Sequence, residues 1–252
     1  MSYSGHNGSH QATRTRAHLR GAAMPDESDD GSGVAARDGG GDGRKRVLGA
    51  AVASRLVFCA LMALSDLLIP DWDDGDPTVA HFDVPSGLRA FARWDAAWFL
   101  LVTRDGYTDE QSHFVFPGLP WAIRLLTPTA LSQGTGLAVI GVLITNISFI
   151  GSALALYELG RQVGLDSNLA ETASLLYCFG PASVFHSSVY SESPFALCTF
   201  GGLLLLGSGR RGAAAVVFAI GASFRSNGTL NAGFLAYDAL LRSFVQQPCV
   251  QL

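Results

Sequence analysis

Charge is scarce in this 252-residue sequence, at 15% of positions, and it is unevenly spread. It crowds into the first 46 residues and into Asp71–Asp76, leaving long stretches almost uncharged. A soluble domain needs charge along every surface element, so this partition argues against a water-facing globule and for a bilayer as solvent. The net charge of −4 leaves no basic footprint and gives no case for nucleic acid as a partner. Cysteine is sparse as well. Cys59, Cys178 and Cys198 lie in apolar runs and Cys249 in a short tail, with neither metal-ligand spacing nor a disulfide framework among them. No metal or cofactor is expected, and no repeat of fixed period is present.

What the sequence does contain is a series of apolar runs. Residues 1–46 precede them, rich in Gly, Ser, Asp and Arg and without apolar periodicity; they predict a disordered tail. Arg14, Arg16 and Arg20 would suit a transit peptide, but the acidic run Asp26–Asp30 follows at once. Val47–Ile69 is long enough to cross a hydrocarbon core of about 30 Å with some tilt. Arg44, Lys45 and Arg46 flank its start, and Pro70, Asp71, Asp73 and Asp74 its end. Basic flanks stay cytoplasmic, so the run reads as a signal-anchor with a cytoplasmic N-terminus, too long for a cleaved signal.

Residues 70–134 read as a first luminal loop. Its opening stretch, 70–92, is acidic and contains Pro and Gly. Phe91–Thr103 predicts a short amphipathic helix, with Phe91, Trp94, Trp98 and Leu101 at helical spacing and Gly106 as its terminating glycine. Phe114–Leu126 is apolar but interrupted by Pro117, Gly118 and Pro120, which suits an interfacial or re-entrant helix better than a span. Further spans are expected over Thr135–Leu159, Leu169–Val189 and Pro194–Gly207. A last apolar segment, Gly212–Leu241, is interrupted by Arg225-Ser226-Asn227-Gly228. Strict alternation then places Arg161, Arg210 and Arg211 in the cytoplasm and Ser187–Ser193 in the lumen. The fold class is an all-α polytopic membrane protein, with its membrane region over 47–242 and a divergent tail over 243–252.

Ionisable groups within or beside a membrane are costly and are functional candidates by default. Five places qualify: Arg93-Trp94-Asp95; Tyr107 to Glu110, leading into Phe116-Pro117-Gly118; Tyr190-Ser191-Glu192; Arg225-Ser226-Asn227-Gly228; and Arg55 inside the first span. The first four converge on one side. Arg225 follows Gly212 by about 20 Å of helix, which puts it in the luminal part of the membrane. Interfacial carboxylates above a cation suit a reaction on a lipid phosphate, the cation holding the phosphate and a carboxylate deprotonating a hydroxyl. Plainer roles compete at each position. Trp94 and Trp98 also fit an aromatic belt, and Asp95 a helix start or a pair with Arg93. Glu192 suits the N-terminal end of a helix dipole. Arg225 suits snorkelling or a kink, Arg55 bundle carbonyls, and Glu158 a solvated face. Asn146-Ile147-Ser148 and Asn227-Gly228-Thr229 match glycosylation acceptors, but one lies mid-span and the other beside the membrane.

The run Arg93-Trp94-Asp95-Ala96-Ala97-Trp98-Phe99, with Gly106-Tyr107, Glu110 and Phe116-Pro117-Gly118-Leu119-Pro120, resembles the first luminal loop of the GPI mannosyltransferase 2 (PIG-V) family. Ile69-Pro70-Asp71, Gly180-Pro181-Ala182-Ser183-Val184-Phe185, Tyr190-Ser191-Glu192, Phe224-Arg225-Ser226-Asn227-Gly228 and Gly233-Phe234 continue the likeness in order across residues 47–242. The resemblance implies a GT-C type glycosyltransferase of the endoplasmic reticulum membrane. Its donor would be dolichol-phosphate-mannose, and it would add the second, α1,6-linked mannose to the GPI glycolipid acceptor with inversion and without a metal. It maps the essential acid of that fold onto Asp95 as catalytic base. Around that base, Arg93, Trp94, Glu110, Tyr190, Glu192, Arg225 and Asn227 are the candidates for substrate binding, with Arg225 expected at the departing phosphate. Trp98 stands where animal relatives often carry His, so no imidazole role carries over. Family members continue with more spans beyond the last apolar segment, so the chain is expected to be C-terminally truncated, and a small membrane subunit is an admissible partner. The alternatives are a transferase using another polyprenyl-phosphate sugar, a catalytically inactive fragment or subunit, or a transporter. A transporter would place polar residues near the midplane of inverted halves rather than at one face.

Overall fold

The computed structural model describes residues 40–69, 84, 85, 87–108, 110–131 and 134–245. Among these residues every regular element is helical. There are eight α-helices: α1 Gly40–Leu68, α2 Asp95–Asp105, α3 Gly118–Leu126, α4 Gly134–Gln162, α5 Ser167–Cys178, α6 Glu192–Gly207, α7 Arg211–Phe224 and α8 Ala232–Val245. Short 3₁₀ turns join them, notably Arg89–Phe91, Pro181–His186 and Ser226–Asn231. The expectations over 1–39, most of the acidic stretch 70–83 and the end of the tail, 246–252, lie outside the described residues.

Helices α1 and α4 are long and apolar enough to cross a membrane, and α6 and α7 are shorter apolar helices. Leu56, Leu61, Leu64 and Leu67 stand exposed along α1, a surface suited to lipid rather than water. The first helix begins earlier than the sequence predicts. Gly40–Arg46, expected to be disordered, are helical because their partners sit on neighbouring helices. Arg46 grips Glu171 of α5 through Nε (2.7 Å) and Nη2 (2.6 Å), and Arg44 lies 3.5 Å from Glu158 of α4. Gly43 is buried, and a Cβ there would meet the Tyr157 hydroxyl at 2.5 Å.

These pairs define a basic end where α1 starts, α4 ends and α5 starts. Gln162 at the end of α4 donates to the Leu204 carbonyl (3.2 Å) and to Ser208 Oγ (3.0 Å), so α6 ends at the same level. At about 1.5 Å per residue, α1 and α4 are each about 43 Å long, α6 about 24 Å and α7 about 21 Å. Glu192, where α6 starts, is therefore level with Asn146, and α4 continues beyond it to Gly134 for about 18 Å. The bundle is stepped, and helices α2 and α3 lie over the lower part. Gly118 of α3 sits on α7, where a Cβ would come within 2.8 Å of the Ser223 backbone, and Ile123 packs toward Gly141 of α4. Val84, Phe99, Leu100, Val115, Leu119, Ile123, Val189 and Phe224 form the core beneath this layer.

Three expected elements take a different form. The helix predicted over Phe91–Thr103 is a 3₁₀ turn ending at Phe91, a sharp bend, and α2 from Asp95 to Asp105. The bend falls at Trp94, whose φ is +59°. The span predicted over Leu169–Val189 is broken: α5 stops at Cys178 before Gly180-Pro181, and the chain rises on through 3₁₀ turns. Proline at the start of a new turn lacks the N–H that would continue α5. Segment 212–241 becomes a hairpin, with α8 folding back along α7, Phe234 stacked on Phe218 (6.1 Å) and Asp238 bound to Arg211 (2.7 Å). Gly106 does terminate α2, at φ +79°, and Phe114–Leu126 yields only the nine-residue α3.

Candidate functional site

The Tyr190-Ser191-Glu192 turn and the end of α7 meet at the step. Glu192 lies in the first turn of α6, where its charge complements the helix dipole. Arg225 follows the last turn of α7 in extended backbone (φ −152°), which swings its side chain toward α6, and its Nη1 donates to Glu192 Oε1. The pair is half satisfied. Glu192 Oε2 is buried without a hydrogen-bond partner among the described residues. The Arg225 guanidinium spends on Glu192 the only hydrogen bond it makes among those residues, leaving further N–H donors open.

Tyr190 joins this pair to α2. Its ring lies between Phe99 of α2 (6.4 Å) and Phe185 (5.6 Å), and its phenol lies near enough to Asp95 and Glu192 to feel both carboxylates. Burial first, and then the carboxylates of Asp95 and Glu192, push its phenol up to about 12, against the opposing pull of the Asp95 backbone. The ordinary value is about 10, so the neutral phenol persists at physiological pH. Any stability it contributes is complete below about pH 10 and is lost only as pH climbs toward the raised value.

Asp95 opens α2, exposed, with its amide at the positive end of the helix. The residue before it is strained. Trp94 is 82% exposed and adopts φ +59°, ψ −130°, a region that non-glycine residues rarely occupy. Arg93 does not pair with Asp95. It turns to Asp66 near the end of α1, with Nη2 at 2.5 Å and Nε at 3.1 Å from Oδ1, while Asp66 Oδ2 accepts from the Gly87 amide at 3.3 Å. The Asp66 side chain is only 4% exposed. This clamp ties α1 to the bend that presents Asp95. Asp66 is a residue the sequence reading passes over, although a carboxylate within the apolar run Val47–Ile69 is the kind of signal that marks a buried partner.

Val189 closes the assembly by donating its amide to the Phe91 carbonyl at 3.0 Å. Asp95, Tyr190, Glu192 and Arg225 are thus brought together at the distal end, with Arg93 held just behind them. Asn227 is exposed in the turn after Arg225, and Glu110 is exposed in the 3₁₀ segment Glu110–Phe114 that precedes α3. Tyr107 donates to the Val115 carbonyl at 2.7 Å, fastening that segment, and burial pushes its phenol up. A guanidinium with open donors can bind an anion, and an exposed carboxylate near the same tyrosine can accept a proton from a hydroxyl.

Comparison with known proteins adds a family to this geometry. A profile described as Mannosyltransferase (PIG-V) matches residues 50–249. GPI alpha-1,6-mannosyltransferase 2 of rat is 36% identical over 210 residues, covering 77% of this chain and 42% of the rat protein. The mouse protein of the same name is 37% identical over 210 residues, with the same coverage. The GPI mannosyltransferase 2 of Chaetomium globosum is 32% identical over 231 residues, covering 78% of this chain and 49% of its own length. The chain thus spans less than half the length of these relatives. No solved structure matches it.

Proposed function

Because the chain belongs to the PIG-V mannosyltransferase family, we propose that it carries the catalytic base and phosphate-holding groups of an enzyme that moves mannose from dolichol-phosphate-mannose to the GPI precursor. The reaction is the second, α1,6-linked addition, on the luminal face of the endoplasmic reticulum. The observation that supports this most is the meeting of Asp95, Tyr190, Glu192 and Arg225 at one end of the bundle. The basic end, with Arg44, Lys45, Arg46 and Arg161, is cytoplasmic, and the stepped end is luminal. The helical bundle is of GT-C type.

A β-mannosyl phosphate becomes an α-mannoside, which requires one in-line displacement. The acceptor hydroxyl attacks the mannose anomeric carbon as the carbon–oxygen bond to phosphate breaks. Asp95 takes the hydroxyl proton, a role worth about 10²–10⁴-fold. The bonding electrons leave with the dolichyl phosphate, whose growing charge is met by the open donors of Arg225. Glu192, Glu110 and Asn227 line the acceptor side and bind acceptor hydroxyls. Trp94 offers its exposed ring to a sugar face. Arg93, occupied by Asp66, serves by orienting the bend.

The test is a chimera that joins residues 47–242 to the remaining part of the mouse relative, expressed in cells lacking GPI mannosyltransferase 2. It should restore GPI-anchored proteins at the cell surface, and Asp95→Asn in the same chimera should lower transfer by about 10²–10⁴-fold. A stably inserted chimera that transfers nothing, or an Asp95→Asn form with near-normal activity, rejects the proposal.

A further inference from the structure

The most deeply buried guanidinium in the described residues has no carboxylate beside it. Arg55 of α1 is 4% exposed, and among the described residues no ion pair holds it. Its Nη1 donates to the Ser183 carbonyl (2.9 Å) and Ser187 Oγ (2.9 Å). Its Nη2 donates to Ser183 Oγ (3.0 Å) and the Cys178 carbonyl (3.4 Å), and its Nε to Ser54 Oγ (3.3 Å). The Phe149 ring of α4 lies 3.7 Å from the guanidinium carbon, where the π face offsets the missing counter-charge. A guanidinium has five N–H donors, and here all are spent on the protein. None is left for a lipid phosphate, which sets Arg55 apart from Arg225.

The acceptors explain what Arg55 does. The Cys178 carbonyl belongs to the last turn of α5 and the Ser183 carbonyl to the 3₁₀ turn after it, both where the span breaks at Gly180-Pro181. A broken helix in hydrocarbon leaves backbone carbonyls without partners, at several kcal/mol each, and survives only where protein satisfies them. Arg55 satisfies the Ser183 carbonyl directly, and it orients Ser183 Oγ, which donates to the Cys178 carbonyl at 3.0 Å beside the longer bond from Arg55 itself. It also fixes Ser187, which donates to Asn146 Oδ1 (3.0 Å) while its carbonyl accepts from Asn146 Nδ2 (3.2 Å). Ser187 lies three residues before Tyr190 and five before Glu192.

We infer that Arg55 is a positioning residue: it sustains the break in the rising segment so that the Tyr190-Ser191-Glu192 turn is delivered against α2. Calling that turn a substrate site rests on the proposed function; the positioning does not. A lysine has three donors on a point charge and cannot span the same five acceptors, so the role requires arginine and not merely a cation.

Cysteine pairs test this in the chain with its four cysteines replaced by alanine. Phe91→Cys with Val189→Cys reports the delivered turn, because those backbones are hydrogen-bonded. Gly160→Cys with Ala170→Cys reports the bundle at the basic end, where a Cβ on Gly160 would lie 3.0 Å from that of Ala170. With Arg55 present, both disulfides should form on mild oxidation. Arg55→Lys and Arg55→Met should each cut the 91–189 cross-link at least tenfold and leave the 160–170 cross-link within twofold. Ser187→Ala, which keeps Arg55, should give an intermediate loss at 91–189. Retention of the first cross-link in either Arg55 variant overturns the inference, as does loss of both, which would make Arg55 a requirement of the whole bundle. In the mouse chimera, Arg55→Lys should lower kcat at least tenfold with donor KM within threefold. If the chimera proves inactive, the proposed function fails while the cross-links still decide the role of Arg55.

Discussion

Glu192 and Arg225 each leave bonding capacity unused, and their energetics should show it. Removing one partner of a partly buried pair strands the other, which costs more than removing both together. Arg225→Met alone should therefore lower the thermal midpoint in detergent by more than the Arg225→Met/Glu192→Leu double variant, while both abolish transfer in the mouse chimera. Equal midpoints for the two variants would show that a stranded Glu192 carries no penalty. At this scale the candidates that gather in the fold were readable, since Asp95, Tyr190, Glu192 and Arg225 are polar groups among long apolar runs. Two features were not. The pairing of Arg93 with Asp66 depends on α1 passing the bend after the intervening loop, a long-range fact that local spacing does not encode. The positive φ of Trp94 was equally hidden, because a tryptophan there reads as an interfacial anchor.

Among the elements, α3 is positioned by what it lacks. Gly118 rests on the Ser223 backbone at a distance that only a bare Cα tolerates: a Cβ would fall 2.8 Å from the Ser223 carbonyl carbon and oxygen. Backbone yields less readily than a side chain tip, so Gly118→Ala should destabilise by about 1–3 kcal/mol, an overpacking cost. Measured by chemical unfolding in detergent, an unchanged stability would mean that α3 is free to lift from α7. The sequence placed the long helices well, because α1 and α4 are continuous apolar runs without Pro. It placed the broken segment poorly. Gly180-Pro181 marks a stop, yet the hydropathy on both sides is continuous, and the donors of Arg55 and Ser183 that satisfy the break come together only in the fold. The same limitation turned 212–241 into a single interrupted segment rather than the α7–α8 hairpin.

For the whole molecule, single reporter cysteines should sort into two groups under a membrane-impermeant maleimide. Those at Glu110 and Asn227 should label only from the luminal side of sealed vesicles, and those at Arg161 and Arg210 only from the outside, cytoplasmic face. Glu110 and Asn227 labelling from opposite sides would dismantle the shared site. That these groups gather at one end was legible from the alternation of basic and polar turns along the chain. The step was not, because it depends on which helix ends are level, and that is fixed by contacts such as Gln162 with Ser208. The step also bears on the lipid. Helices of about 21–24 Å fall short of a hydrocarbon core of about 30 Å, and a bilayer meets such a mismatch by thinning locally. The leaflet at the stepped end, luminal in the proposed orientation, should therefore dimple beside α6 and α7. On the proposed function, a polyprenyl phosphate resting in that depression would reach Arg225 with its isoprenoid chain still among acyl tails, and would not have to leave the membrane to react.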